Sequence, residues 1–162
     1  MGVVTRGIAA WLLIAAAVAC SSSSESEIRA SAVYEGVMRW LAAEHTFDPD
    51  PLPVFVEPRG EGTSIDLAVQ AEVVESAADV ADIRFIDTRD EALSTDDETG
   101  TVVVRDDGML VRLGPVLEEG RRVTLDVDVF VNEETDLTLR FSLLATGDQW
   151  RVLGDPVEFA TG

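Results

Sequence analysis

The sequence predicts an α+β domain over residues 28–162, with one amino-terminal helix packed on a mostly antiparallel, twisted sheet of about six to eight strands. Three observations predict it. A single helix-period stretch comes first, runs of alternating apolar residues divided by glycine, proline and aspartate turns follow, and two of those runs are complementary enough to specify a long hairpin. A two-sheet β-sandwich carrying the same helix is the alternative.

In chain order, "SESEIRASAVYEGVMRWLAAEH" places Val33, Val37, Trp40 and Leu41 on one helical face, with Ile28 and Met38 at its margins. Ser24 and Glu27 fit a capping box at its start, and Asp48-Pro49 stops it. After the stiff "FDPDPLP", "PVFVE" reads as a strand and "PRGEGT" as a turn. "SIDLAVQAEVVE" alternates, so a strand is expected with Ile65, Leu67, Val69, Ala71 and Val73 on its buried face. "SAADVA" suits a single helical turn capped by Ser76, "DIRFIDT" a short strand, and "DEALSTDDETG" an acidic loop. In "TVVVRDDGMLVRL", Asp107-Gly108 between two apolar runs signals a hairpin.

The strongest inference concerns "RRVTLDVDVFVNEETDLTLRFSLLATGDQWRV". Pairing Val131 with Leu137, Val129 with Leu139 and Val127 with Phe141 across "NEETD" builds one continuous apolar stripe and sets Asp128 against Arg140. "GDQ" then turns the chain into a last strand carrying Trp150 and Val152. In outline, a lone helix followed by long hairpins and "DQWRV" resembles cystatin-like and nuclear-transport-factor-like domains.

The first twenty residues, "MGVVTRGIAAWLLIAAAVAC", carry one charge, Arg6, and then an uncharged run from Gly7 to Ala19. That run is too short to cross about 30 Å of hydrocarbon, so residues 1–19 are expected to be a signal peptide. Ala17-Val18-Ala19 satisfies the small-x-small rule for an ordinary secretory cut before Cys20. "AVAC" resembles the lipobox of bacterial lipoproteins, although Ala17 stands where that family usually has Leu or Val. The resemblance implies that Cys20 receives a diacylglyceryl group and becomes the amino terminus; "SSSSESE" after it has the composition of a flexible polar tether, expected over residues 20–27. It implies a protein held on the cell membrane and facing outside the cytoplasm; simple secretion is the alternative. A free thiol there would be an exposed, oxidisable liability.

The chain has 31 acidic residues and 12 basic ones, all arginine, for a formal charge of −19. Arg6 lies before Cys20, so the mature chain would carry −20. Such a surface is repelled by phosphate backbones, which disfavours nucleic acid, and a domain of that charge held beside anionic lipid would be pushed outward. The partners left open are a basic protein or an apolar small molecule. Acidity also has a plain explanation in solvation or habitat. With one cysteine there is no intramolecular disulfide, and packing alone must hold the domain. An apolar fraction of 46% supplies the core.

Catalytic patterns are weak. His45 is the single histidine, at the expected helix end, where interaction with terminal carbonyls is its ordinary role. Ser64 in "GEGTSID" has no nucleophile-elbow signature, and "GEGTS" lacks the helix and lysine of a phosphate loop. Asp126 with Asp128, and Asp106 with Asp107, read as a wet strand face and a turn. "STDDETG" and "NEETD" gather oxygen ligands without the spacing of an EF-hand, and "GRR" is too short for a basic patch. No cofactor and no dedicated metal site is expected. Trp40 is the helix-side candidate for an apolar ligand or partner contact. Phe130 and Leu144 join it as apolar exceptions on the wet face of the hairpin. The function expected is a non-enzymatic binding or interaction module. Its alternatives are a carrier holding an apolar ligand between helix and sheet, and a hydrolase using paired carboxylates.

Overall fold

The computed structural model describes residues 21–44, 51–147 and 149–159. Helix α1 (Ser21–Glu44) opens the described chain, followed by β1 (Leu52–Pro58), α2 (Leu67–Ser76) and β2 (Ala81–Phe85). Then come β3 (Leu93–Thr95), β4 (Val102–Val104), β5 (Met109–Leu113), β6 (Leu117–Glu119), β7 (Arg122–Asn132), β8 (Thr135–Thr146), β9 (Gln149–Val152) and β10 (Val157–Phe159).

The class is α+β, but the sheet is larger and more mixed than expected. All ten described strands belong to one sheet, with the path β10-β8-β7-β5-β1-β2, so the two-sheet sandwich does not form. β1 runs parallel to both β2 and β5, while the remaining pairings are antiparallel. The parallel pair arises because the segment expected as a strand at 65–73 is helix α2, a crossover between β1 and β2. Asp66 caps it, accepting the Ala68 N–H at 2.7 Å. Val69, Val73 and Ala77, four apart, form its buried stripe, whereas Leu67 and Ala71, expected inside, are exposed. Ser76 closes this helix rather than capping another, its hydroxyl donating to the Val73 carbonyl.

α1 and α2 cover the same sheet face. Val33, Val37, Met38 and Leu41 are at most 1% exposed and pack with Val69, Val73 and the inward residues of β1, β5, β7 and β8. α1 starts three residues before the Ser24 cap expected, and it includes residues 21–27 of the expected tether. Gly36 is required where α1 crosses the sheet, because a Cβ there would lie 2.9 Å from the Trp150 carbonyl oxygen and 3.1 Å from Leu143 Cδ2.

The long β7–β8 hairpin buries the expected stripe, in a register two residues away from the one expected. Leu125 faces Phe141, Val127 faces Leu139 and Val129 faces Leu137, and Asp126, not Asp128, opposes Arg140. A slide of two preserves every side chain's face, so the apolar pattern does not distinguish the registers. The turn does. Asn132 Oδ1 accepts the Glu134 and Thr135 N–H groups, closing a turn tighter than the five-residue loop expected, and an irregularity between Phe130 and Asn132 absorbs the odd residue.

Asp107-Gly108 does not make a hairpin. β4 and β5 both lie along β7, end to end, joined by a kink in which Asp106 and Asp107 take φ of 57° and 52°. Gly108 is needed for a close approach to Pro53, whose carbonyl a Cβ would strike. β3, from the loop expected at 90–100, pairs with β4. Together they cover a smaller apolar cluster of Phe55, Ala92, Val104, Leu110 and Phe130 on the sheet face away from the helices. β9 is followed by β10 rather than ending the chain's strands.

Candidate functional site: a cleft at the ends of the parallel strands

Chain direction defines one rim of the sheet. β1 and β5 run parallel and end there at Pro58 and Leu113, which face each other. Their continuations diverge. The Arg59 N–H donates to the Leu113 carbonyl at 2.8 Å before the chain turns through Gly60, with φ of 112°, and Gly62, with φ of 73°, toward α2. The Gly114 N–H donates to the Asp126 carbonyl at 2.9 Å, and Pro115 leads on to β6. Where one connection leaves for the helix side and the next for the neighbouring strand, open α/β architecture leaves a crevice at the carboxyl ends.

That crevice is a cleft of about 360 Å³. Ala30 and Tyr34 of α1 form one wall and Val116 and Leu113 another, with Ile65 and Ser64 of the β1–α2 loop closing a third. Tyr34 donates its hydroxyl to the Gly114 carbonyl at 3.2 Å, and burial raises its pKa, so it stays protonated. The cleft has the makeup of a small-molecule site, apolar walls with a few polar groups, and its size lies in the usual range.

Arg59 joins the cleft to an ion network on the sheet face away from the helices. Its Nε donates to Asp128 at 3.0 Å and a terminal nitrogen to Asp126 at 3.3 Å. Arg140 makes two bonds to Asp126, at 2.7 and 3.1 Å, and Thr138 donates to Asp128 at 2.9 Å. Arg112 reaches Asp128 at 3.3 Å, and its Nε lies 2.9 Å from Glu57 Oε1 without the alignment of a hydrogen bond. Three guanidinium groups thus balance three carboxylates. Arg140, first through its hydrogen bonds, holds the Asp126 carboxyl below the usual carboxylate range, the opposite of what a general acid needs.

The apolar candidates lie apart. Trp40 stands edge-on to Phe141 with ring centroids 5.2 Å apart, and with Trp150, Gly36 and Arg151 it lines a second cleft of about 340 Å³ between α1 and β9. Phe130 is 8% exposed in the cluster on the opposite face, with the Arg89 guanidinium 4.9 Å over its ring. Leu144 is half-buried on that same outer face, between Arg122 and Arg151 in the strand register. Trp40 and Phe130 therefore belong to different sides of the sheet. Both clefts sit at borders of the helix–sheet layer, whose middle is filled by side chains.

The other expected features are placed as follows. Cys20 and His45 lie outside the described residues. Ser64 precedes α2. Asp96 spends one carboxylate oxygen on the Glu98 and Thr99 N–H groups, as Asn132 does in its own turn, so each loop uses side-chain oxygen to hold backbone. Among the described residues no three acid, histidine or cysteine side chains gather as a metal site. Tyr34, Arg59 and Gly114 were not singled out from sequence; reading "PRGEGTSID" as a strand-to-helix loop with an Asp cap would have pointed to Arg59.

No protein-family model matches the chain, and neither a curated protein nor a solved structure does.

Proposed function

We propose that the protein is a lipid-anchored, extracytoplasmic binding module that takes a small, partly apolar ligand in the cleft at the ends of β1 and β5. One observation carries the binding half: a cleft of about 360 Å³ with mostly apolar walls, at the position that parallel-strand topology leaves open. The anchor half rests on Cys20 and the apolar run before it. Two features favour binding over hydrolysis. Asp126 and Asp128, the carboxylates bonded to the cleft's Arg59, are held in ion pairs, and Glu118 is the single carboxylate among the described lining residues, so no pair of acids converges there. Among the described residues no helix is long and apolar enough to cross a membrane, so attachment would fall to the lipid on Cys20.

The test uses an amphipathic dye, anilinonaphthalene sulfonate, whose rings suit the apolar walls. Ser64 is an exposed loop residue on the cleft wall, so Ser64→Trp fills the space without entering the core. The wild-type chain should enhance dye fluorescence saturably, and Ser64→Trp should weaken that binding by about tenfold, the cost of roughly 1.4 kcal/mol of lost contact. Equal binding by both, with the melting temperature unchanged, would remove the cleft from the account.

A further inference from the structure

The arginines of this acidic chain are not used uniformly. Arg39, Arg59, Arg84, Arg112 and Arg140 make ion pairs, Arg105 donates to the Leu93 carbonyl, and Arg89 covers Phe130. Of the arginine side chains described, three remain, Arg121, Arg122 and Arg151; all are exposed, and their guanidinium groups make no ion pair with a described residue. All three lie at one rim. Arg122 opens β7, Leu144 faces it near the end of β8, and Arg151 faces Leu144 from β9, so the two arginines bracket a half-buried leucine on one sheet face. Arg121 sits in the adjoining turn, its carbonyl accepting the Ala145 N–H. Glu118 and Glu119 share this rim, Glu119 opposite Arg122, and Leu117 beside them is 58% exposed.

The same rim is where α1 begins. Ala30 and Tyr34 lie against the end of β5, whereas Arg39, further along, bonds Ser76 and Asp79 at the far end of α2. α1 therefore rises from this rim, and its first residue, Ser21, follows Cys20 directly. From Ser21 to Ala30 the helix measures only about 15 Å.

We infer that this rim faces the membrane and that Arg121, Arg122 and Arg151 contact the phosphates of anionic lipid headgroups. The inference rests on the anchor proposed above and specifies how the domain stands on it. The mature chain of −20 is repelled overall by an anionic surface, and this rim, though it also holds Glu118 and Glu119, presents three guanidinium groups that make no ion pair with a described residue and that suit phosphate in geometry as well as charge. Leu117 and Leu144 give the same surface apolar contact at headgroup depth.

The test uses the full chain extracted from membranes and reconstituted into vesicles. Thr146→Cys at the rim and Glu134→Cys in the opposite β7–β8 turn each carry a fluorophore, and a nitroxide on the lipid headgroups acts as quencher. The rim label should be quenched more than the distal one in vesicles containing phosphatidylglycerol. That difference should collapse in pure phosphatidylcholine and at raised chloride, and weaken by roughly fivefold for each arginine changed to Gln, the ratio one basic side chain carries near an anionic surface. The Gln variants should melt like the wild type, since these side chains make no ion pairs with described residues. Equal quenching at both labels, or a difference that survives the triple Gln variant, overturns the inference while leaving the anchor intact. Loss of rim quenching with inorganic phosphate but not with chloride at equal ionic strength would mark a free-phosphate site and overturns it too. A chain that does not stay with the vesicles at all removes the anchor and, with it, this orientation.

Discussion

Single residues hold the helix layer and the ion network in place. Gly36 lets α1 approach β9, so Gly36→Ala should cost about 1–3 kcal/mol by overpacking against a backbone carbonyl that has little room to retreat. Chemical denaturation would read this as a lower midpoint at unchanged slope. Asp126 gives a pH-dependent counterpart. Its folded pKa is depressed, so its contribution is complete above the unfolded value of about 3.9 and is lost as pH falls through the lower folded value. Melting temperatures followed downward from neutral pH should therefore fall more steeply in the wild type than in Asp126→Asn at the acid end. Identical acid limbs would mean that the Arg140 and Arg59 contacts do not persist in solution.

At the scale of elements, α2 and the β7–β8 hairpin separate what the sequence specifies from what it leaves open. Asp66→Ala removes the side-chain acceptor from the α2 amino terminus and should cost about 1 kcal/mol, a loss that a strand at the same position would not show. Phe141→Ala, at the centre of the stripe and against Trp40, should cost about 3–5 kcal/mol in the same measurement. α1, β1, β2 and the apolar stripe were legible, because buried faces impose the periods of helix and strand on composition. α2 was not, since Ile65, Val69, Val73 and Ala77 fit spacings of two and of four alike; the Asp66 cap and the helix-favouring Ala, Gln and Glu between them were the signals that decided it. The hairpin register failed differently. Registers two apart bury the same side chains, and only the Asn132 turn chemistry chooses between them.

For the whole molecule, the helical state of α2 is what opens the candidate cleft. The mostly antiparallel sheet expected with a strand there specifies no common carboxyl end, whereas the β1–α2–β2 crossover creates that end and places Tyr34, Arg59 and Gly114 around it. Trp40, Phe130 and Leu144 were identifiable as apolar exceptions from sequence, but their separation onto two faces is a property of the assembled sheet. The direction of α1 adds a final constraint, because the cleft, the three arginines without an ion pair to a described residue and the start of the helix share one rim. The orientation proposed for the domain takes its functional sense from the attachment proposed at Cys20. The most direct measurement is the intact mass of the protein extracted from membranes, with Cys20→Ser fractionated in parallel. The account predicts a chain that begins at Cys20 and carries a diacylglyceryl group, and a Ser variant released from the membrane fraction. An unmodified chain beginning at Cys20 in the soluble fraction, or a Ser variant retained as firmly as the wild type, would contradict it.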